Sequence, residues 1–142
     1  MSDARGLPLA VELTAGQVHE STQAESVIAW ALTYQSREGE DLRVPEKLLG
    51  DKGYSVERLR QWLRESGIEP VIARKSNELA RSEEPFDTKT YRRRNGIERC
   101  IGWLKECRRF ATRFEKLAVR FLAMLQLAII RGYLRVGFSN SA

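Results

Sequence analysis

The segment that most constrains the fold is a short apolar stretch that ends in a glycine-flanked aspartate and leads into an amphipathic helix. Leu48 and Leu49 precede the sequence Gly-Asp-Lys-Gly-Tyr at residues 50–54, the pattern of a strand that ends in a tight turn. Ser55 is positioned to cap the following helix, and Gly67 to end it. The predicted buried side of that helix consists of Val56, Leu59, Trp62 and Leu63. A strand, a tight turn and a helix are therefore expected in direct succession.

Three further segments extend this order on both sides. Residues 7–14 alternate apolar and other side chains with the period of a strand that has one buried face. Thr22 and Glu25 have the spacing of a capping box at the start of a helix that runs to about Tyr34. Residues 70–73, Pro-Val-Ile-Ala, predict another strand after the central helix. The first half of the chain thus alternates strands and helices.

The second half of the chain is predicted to be helical. One helix begins at Asp87 or Thr88 and runs to about Arg109, and the last helix runs from about Phe114 to Val136. The apolar face of the last helix consists of Leu117, Phe121, Met124, Leu125 and Ala128.

This order of elements predicts an α/β fold with a mixed sheet and with the C-terminal helices packed against it. A length of 142 residues is enough for one domain with a sizeable core, so a single domain over residues 1–142 is expected. The polar residues 35–46 are expected to form a loop, and residues 74–86 a flexible loop.

The positive charge of the chain is concentrated in one segment. Between Lys89 and Lys116 ten Lys or Arg residues stand against three Glu, so this segment carries +7 and the remainder −2 of the total of +5. A near-neutral protein with one cationic segment is expected to bind a polyanion, most simply nucleic acid. The alternative is a solvated helix face without such a partner.

The cysteines and the apolar runs indicate a soluble intracellular protein without a membrane span. Cys100 and Cys107 fit neither a redox motif nor a zinc pattern, and two reduced, packed thiols are expected. The longest apolar run, residues 121–130, is interrupted by Gln126 and is shorter than the roughly 18 residues that suggest a spanning helix. The N-terminus lacks the apolar stretch of a signal peptide.

Four residues of the basic segment share one stripe if the helix that begins at residue 87 or 88 is continuous. The stripe consists of Tyr91, Arg94, Glu98 and Lys105. At about 100° per residue, their side chains fall within roughly a 60° arc. A carboxylate, two cations and a phenol are poorly suited to a core and well suited to holding a metal ion and a phosphate backbone.

Asp51 and Glu98 together have the chemistry of a magnesium site. Asp51 follows a predicted strand, where open α/β sheets place their ligand crevices, and Gly50 and Gly53 would permit close approach. Mg²⁺ is commonly held by one or two carboxylates and a substrate phosphate, and paired ions can assist phosphoryl transfer. Each carboxylate also has a simpler interpretation, since Asp51 could only close a turn and Glu98 could only pair with Arg94.

Three ordered motifs resemble those of bacterial insertion-sequence transposases of the DDE type, and look closest to the insertion-sequence-five group. The most specific is the stripe, which matches the signature Y-x2-R-x3-E-x6-K. The others are Gly-Leu-Pro-Leu at residues 6–9 with Thr-Ala-Gly-Gln-Val-His-Glu-Ser at residues 14–21, and Asp-Lys-Gly-Tyr at residues 51–54. The resemblance covers nearly the whole chain. It implies an RNase H-like fold and a bacterial cytoplasmic enzyme that cleaves and joins DNA at insertion-sequence ends with Mg²⁺, or Mn²⁺.

Carried over by position, the resemblance makes Asp51 and Glu98 the second and third carboxylates of the catalytic triad and the metal ligands. Arg94 and Lys105 become contacts to DNA phosphate. The wider set expected to bind DNA is Tyr91, Arg92, Arg93, Arg94, Arg99, Lys105, Arg108 and Arg109. His19 is expected to belong to the turn before the first helix rather than to act as a base.

The family's first carboxylate lies on an opening strand that is followed by two more strands, whereas one strand precedes the first helix here. The sheet is therefore expected to be a partial RNase H-like sheet lacking its first strands, with Asp3 in a turn rather than in the catalytic set. Loss of a central strand also predicts exposed apolar surface and marginal solubility.

Three kinds of function remain open on this basis. An upstream transposase segment, or self-association, would complete an active enzyme. Alternatively the chain is a remnant that binds DNA without catalysis and regulates transposition. An RNA-binding or structural helical protein is a third class, supported by charge alone.

Overall fold

The computed structural model of the chain describes residues 1–15, 17–36, 44–76, 86–112 and 115–139. The fold separates into two compact units. The terminal unit consists of Met1–Leu13 and Asn95–Ala142, and the central unit of Thr14–Arg94. The single domain expected over residues 1–142 stays a prediction. Most of the two predicted loops, residues 37–43 and 77–85, lies outside the described residues.

The first helix of the central unit, α1 (Ala24–Ser36), begins two residues later than predicted, after a 3₁₀ turn at Glu20–Thr22. His19 caps that turn with its side chain, so it is a turn residue as expected. The Thr22 hydroxyl donates to the His19 carbonyl and thus belongs to the turn. The predicted capping box is therefore wrong.

A strand, a helix and a second strand form the centre of the central unit. β1 (Lys47–Gly50) and β2 (Glu69–Ile72) are parallel and pair in register, with Gly50 opposite Ile72. The helix α2 (Glu57–Glu65) connects them, because parallel strands require a crossover connection. The predicted order of strand, tight turn, helix and strand is confirmed.

The helix α2 differs from the prediction at its start and on its buried side. Val56 is the N-cap residue and makes no side-chain capping bond, whereas the Ser55 hydroxyl accepts a hydrogen bond from Arg60. Arg60 is buried together with Leu59 and Leu63. Ser55 is thus part of a buried polar contact rather than the cap of the helix.

The predicted strand at residues 7–14 is wrong, and the described sheet is parallel rather than mixed. The segment makes one isolated antiparallel bridge, between Pro8 and Ser2. Its backbone is bound by the residues just before it, since the amide of Leu9 donates to the carbonyl of Met1. The carboxylate of Asp3 accepts hydrogen bonds from the backbone amides of Arg5 and Leu7, which lie two and four residues further along the chain. Asp3 therefore forms the expected turn, and this turn replaces the ladder that a strand would need.

The predicted continuous helix from residue 87 or 88 to residue 109 is also wrong. α3 (Thr88–Tyr91) is followed by a 3₁₀ turn at Arg92–Arg94, and then by α4 (Asn95–Lys105) and α5 (Arg108–Ala111). A 3₁₀ turn has about 3.0 residues per turn instead of 3.6, so the arc calculated for one straight α-helix does not hold across it.

The core of the terminal unit lies between α4 and the last helix, α6 (Ala118–Ser139). Its buried residues are Cys100, Leu104, Leu125 and Ala128. Val11 and Leu13 of the N-terminal segment pack against them. Of the five residues predicted for the apolar face of the last helix, Leu125 and Ala128 are buried, whereas Leu117 is 55% exposed. The described packing of these helices is helix against helix.

A second apolar face of α6 is exposed. Its large side chains are Val119, Leu127, Ile130 and Leu134. This exposed apolar surface lies on a helix, whereas the expectation from the sequence was based on the loss of a central strand. That cause and the marginal solubility stay predictions. Among the described residues, no helix combines the length and apolar character needed to span a membrane.

Candidate functional site

Asp51 lies at the end of β1, where the sequence places it. It caps a 3₁₀ turn at Lys52–Tyr54, and its Oδ1 atom accepts a hydrogen bond from the Gly53 amide at 2.8 Å. A side chain on Gly53 would lie only 3.0 Å from this oxygen. Asp51 therefore does close the turn, and the turn fixes its carboxylate at the carboxyl end of a parallel strand.

A second carboxylate, that of Glu20, lies in the same neighbourhood. A methyl group on Gly53 would lie 3.7 Å from Glu20 Oε2 as well as close to Asp51 Oδ1. Burial raises the pKa of Tyr54, and the negative charges of Glu20 and Asp51 raise that pKa further. The sequence identifies Glu20 only as part of a motif and indicates no role for it.

Tyr91 and Arg94 contact each other in the central unit. The guanidinium carbon of Arg94 lies 5.7 Å from the centroid of the Tyr91 ring, a cation–π contact. The 3₁₀ turn between them explains the contact, because side chains three residues apart eclipse in such a turn. The Tyr91 ring also packs at 5.0 Å against that of Phe86, which is 46% exposed.

The segment that carries Tyr91 is anchored to β1. The carboxylate of Asp87 caps α3 by accepting a hydrogen bond from the Thr90 amide at 2.9 Å. Hydrogen bonding by the side chain and the backbone of Thr90 lowers the pKa of Asp87. Lys47 of β1 lies 3.8 Å from the same carboxylate. The basic turn that follows, Arg92–Arg94, belongs to the same unit as Asp51.

The remaining predicted residues belong to the terminal unit. Glu98 is exposed in the first turn of α4, and Lys105 ends the same helix two turns later. The other predicted DNA contacts of this unit, Arg99, Arg108 and Arg109, are exposed as well. Arg109 lies 4.0 Å from Glu115. Within α4, the offset of seven residues still places Glu98 and Lys105 on one face.

The fit of a divalent cation can be judged from the donors. Asp51 and Glu98 supply the hard oxygen ligands that Mg²⁺ takes, so the chemistry of each side chain fits. In the part of the chain that the structure describes, no three Asp, Glu, His or Cys side chains form a group that could hold a metal ion. Since Asp51 and Glu98 belong to different units, their joint magnesium site stays a prediction.

The two cysteines are free, and Cys100 is buried as expected. Burial raises the pKa of the Cys100 thiol, which lowers the fraction of the reactive thiolate. Cys107 is only partly buried. At pH 8, iodoacetamide should therefore modify Cys107 and leave Cys100 unmodified in the folded protein, as measured by mass spectrometry. Both thiols should react in urea, and equal rates in the folded protein would contradict the packing of Cys100.

Comparison with known proteins gives one family and two relatives. The model of the Transposase DDE domain family matches residues 1–132. A protein assigned as the transposase for insertion sequence element IS402 of Burkholderia cepacia is 37% identical over 89% of this chain and 57% of its own length. A protein assigned likewise to IS6501 of Brucella ovis is 29% identical over 94% of this chain and 93% of its own length. The chain thus spans little more than half of the IS402 relative. No solved structure matches it.

Proposed function

Because this chain belongs to the Transposase DDE domain family, we propose that it acts in DNA transposition as part of an RNase H-like domain that cleaves and joins DNA strands. The observation that carries the proposal is the position of Asp51 at the carboxyl end of β1, within the matched residues. Ligand sites of α/β sheets lie at this end of the strands.

Asp51 and Glu98 are the residues proposed to hold Mg²⁺, or Mn²⁺. A divalent ion bound there would supply Lewis-acid stabilisation of the attacking and leaving oxygens of a displacement at phosphorus. Asp51 contributes a carboxylate whose position is fixed by the Gly53 amide. The family's remaining carboxylate would come from further transposase residues or from a second molecule, which is why we include self-association or an upstream segment among the proposed partners.

The exposed basic residues are proposed to bind the DNA backbone. They are Arg92, Arg93, Arg99, Lys105, Arg108 and Arg109, with Arg94 over the Tyr91 ring. Arg pairs with phosphate through two parallel hydrogen bonds, so these side chains would set the position of the strand relative to the carboxylates. The DNA would be an insertion-sequence end and its target.

The assay that tests this function uses the complete transposase and a duplex with the element end. Mg²⁺-dependent nicking that leaves a 3′-hydroxyl at the element end, followed by joining to a second duplex, is the expected result. If the protein binds this DNA but does not cleave it at any concentration of divalent ion, the result favours the second candidate function, that of a DNA-binding regulator of transposition. That candidate is favoured by the exposed cations, which need no metal site.

Replacing Arg94 and Lys105 with Ala should weaken DNA binding and flatten its dependence on salt. Removing one cation that binds a phosphate reduces the slope of log K against log salt by about 0.9, so the double variant should have a slope smaller by about two units. The slope is measured by fluorescence anisotropy between low and moderate salt.

The matched control removes two positive charges from α2, with Arg58 and Arg64 replaced by Ala. Both lie outside the basic segment, and each pairs with a Glu side chain. The control should keep the slope of the unchanged protein. Equal slopes for all three proteins would remove Arg94 and Lys105 from the DNA-binding surface.

A further inference from the structure

A single buried nitrogen atom links both sides of the turn that carries Asp51. Arg60 on α2 is 4% exposed, although Arg is rarely buried unless it is paired. Its Nη2 atom donates to Ser55 Oγ at 3.1 Å and to the Ile72 carbonyl at 2.9 Å, with the Ala73 carbonyl at 3.5 Å. These acceptors lie just after the turn and at the end of β2.

The acceptors of this nitrogen are in turn hydrogen-bonded to the backbone beside Asp51. On one side, the Ser55 amide donates to the Lys52 carbonyl at 3.2 Å, inside the turn that Asp51 caps. On the other side, the Ala73 amide donates to the carbonyl of Gly50 at 3.4 Å. Gly50 directly precedes Asp51, so hydrogen bonds connect the backbone on either side of this carboxylate to the same buried group.

The hydrogen bonds of Arg60 distinguish it from an apolar side chain in the same place. A buried guanidinium loses its hydration, and replacing buried charges by well-packed apolar side chains is often neutral or stabilising. An apolar side chain could fill the space beside Leu59 and Leu63, but it could not tie the turn to the end of β2. The hydrogen bonds of Arg60 impose a geometry that packing would not.

We propose that Arg60 is a positioning residue for Asp51, and that its hydrogen bonds to both sides of the turn fix the direction in which the carboxylate meets a divalent cation. This inference rests on the proposed function, in which Asp51 is a metal ligand. Groups that hydrogen-bond directly to a metal ligand typically change metal affinity by about 10- to 100-fold when they are removed. Arg60 acts on Asp51 through the backbone of the turn, so we expect an effect at the lower end of this range.

The test uses the full chain labelled with ¹⁵N and Mn²⁺ as the probe. Mn²⁺ bound at Asp51 should broaden the amide signal of Gly53, and the Arg60→Met variant should need about tenfold more Mn²⁺ for the same broadening. Arg60→Lys keeps the charge on a shorter side chain and should fall between the two. In an Asp51→Asn background, Arg60→Met should have no further effect on the Mn²⁺ titration.

Hydrogen exchange gives a second measurement that needs no metal. If Arg60 holds the turn, Arg60→Met should accelerate exchange of the Gly53 amide, which donates to Asp51, more than exchange of the Val71 amide in β2. The control is Ile68→Ala, which truncates a buried side chain just before β2. Ile68 lies at the start of β2, whereas Asp51 lies near the end of that strand. This control should accelerate both amides alike and leave the Mn²⁺ titration unchanged.

The outcomes separate the two proposals. If Asp51→Asn abolishes the broadening but Arg60→Met and Ile68→Ala give the titration of the unchanged protein, the role of Arg60 is refuted and the metal ligand stands. If Mn²⁺ broadens nothing near Asp51 in the unchanged protein, the metal assignment fails. The positioning role is then decided by exchange, and equal acceleration at Gly53 and Val71 would refute it.

Discussion

Replacing Asp51 with Asn is expected to lower the rate of strand cleavage by the complete transposase by about a thousandfold. A metal-bound oxygen supplies several kcal/mol of transition-state stabilisation, and each 1.36 kcal/mol corresponds to a factor of about ten. Asn retains an oxygen that can accept the hydrogen bond from the Gly53 amide, so the turn should persist. Single-turnover nicking of an element-end duplex in Mg²⁺ measures the effect.

Two further variants show whether the effect belongs to the metal site. Glu98→Gln should cause a loss of similar size, because it removes the other proposed ligand. Glu57→Gln removes an exposed carboxylate of α2 that pairs with Arg64 and should leave the rate unchanged. DNA binding by all three variants should persist. If Asp51→Asn cleaved DNA as fast as the unchanged protein, Asp51 would be left with its role in the turn alone.

Replacing Gly132 with Val is expected to destabilise the terminal unit by about 2–3 kcal/mol. Gly132 is buried on α6, and a methyl group there would overlap the Trp103 ring of α4, with Cζ3 at 2.6 Å and Cζ2 at 2.9 Å. The Val side chain is larger still, so either the ring or the helix must move. Urea unfolding followed by circular dichroism measures the change in the free energy of unfolding.

Gly102 provides the matched control for this substitution. It lies on α4, is exposed, and has no atom within 4 Å of an added methyl group. Gly102→Val should therefore leave stability unchanged or raise it by a few tenths of a kcal/mol through helix propensity. Equal destabilisation by both variants would show that the contact with Trp103 does not cause the loss.

The central strand, turn and helix could be predicted because their signals are local. Gly50 and Asp51 mark the end of β1, and the spacing of Leu59 and Leu63 marks the buried side of α2. The burial of Arg60 had no such signal, since its acceptors include carbonyls at the end of β2. Those carbonyls come next to α2 only after the two strands have paired.

The errors in the prediction have the same origin. Residues 7–14 have the alternation of a strand, but a strand also needs a partner, and here Met1 and Asp3 bind its backbone instead. The stripe assumed one continuous helix, whereas the 3₁₀ turn at Arg92–Arg94 divides it. Local periodicity does not report which backbone groups find partners elsewhere in the chain. Glu20 was missed for a related reason, because its proximity to Asp51 exists only in the folded unit.

The composition of the terminal unit has a consequence for folding during synthesis. Val11 and Leu13 pack against the buried cluster that α4 and α6 form, and the whole central unit separates them from this cluster in the chain. The ribosome makes the N-terminal segment first, so this segment leaves it long before its partners exist. The central unit, by contrast, is complete once Arg94 has been made. We therefore expect a nascent chain in which the central unit is folded while residues 1–13 still lack their partners, and in which the terminal unit folds only after α6 has been released.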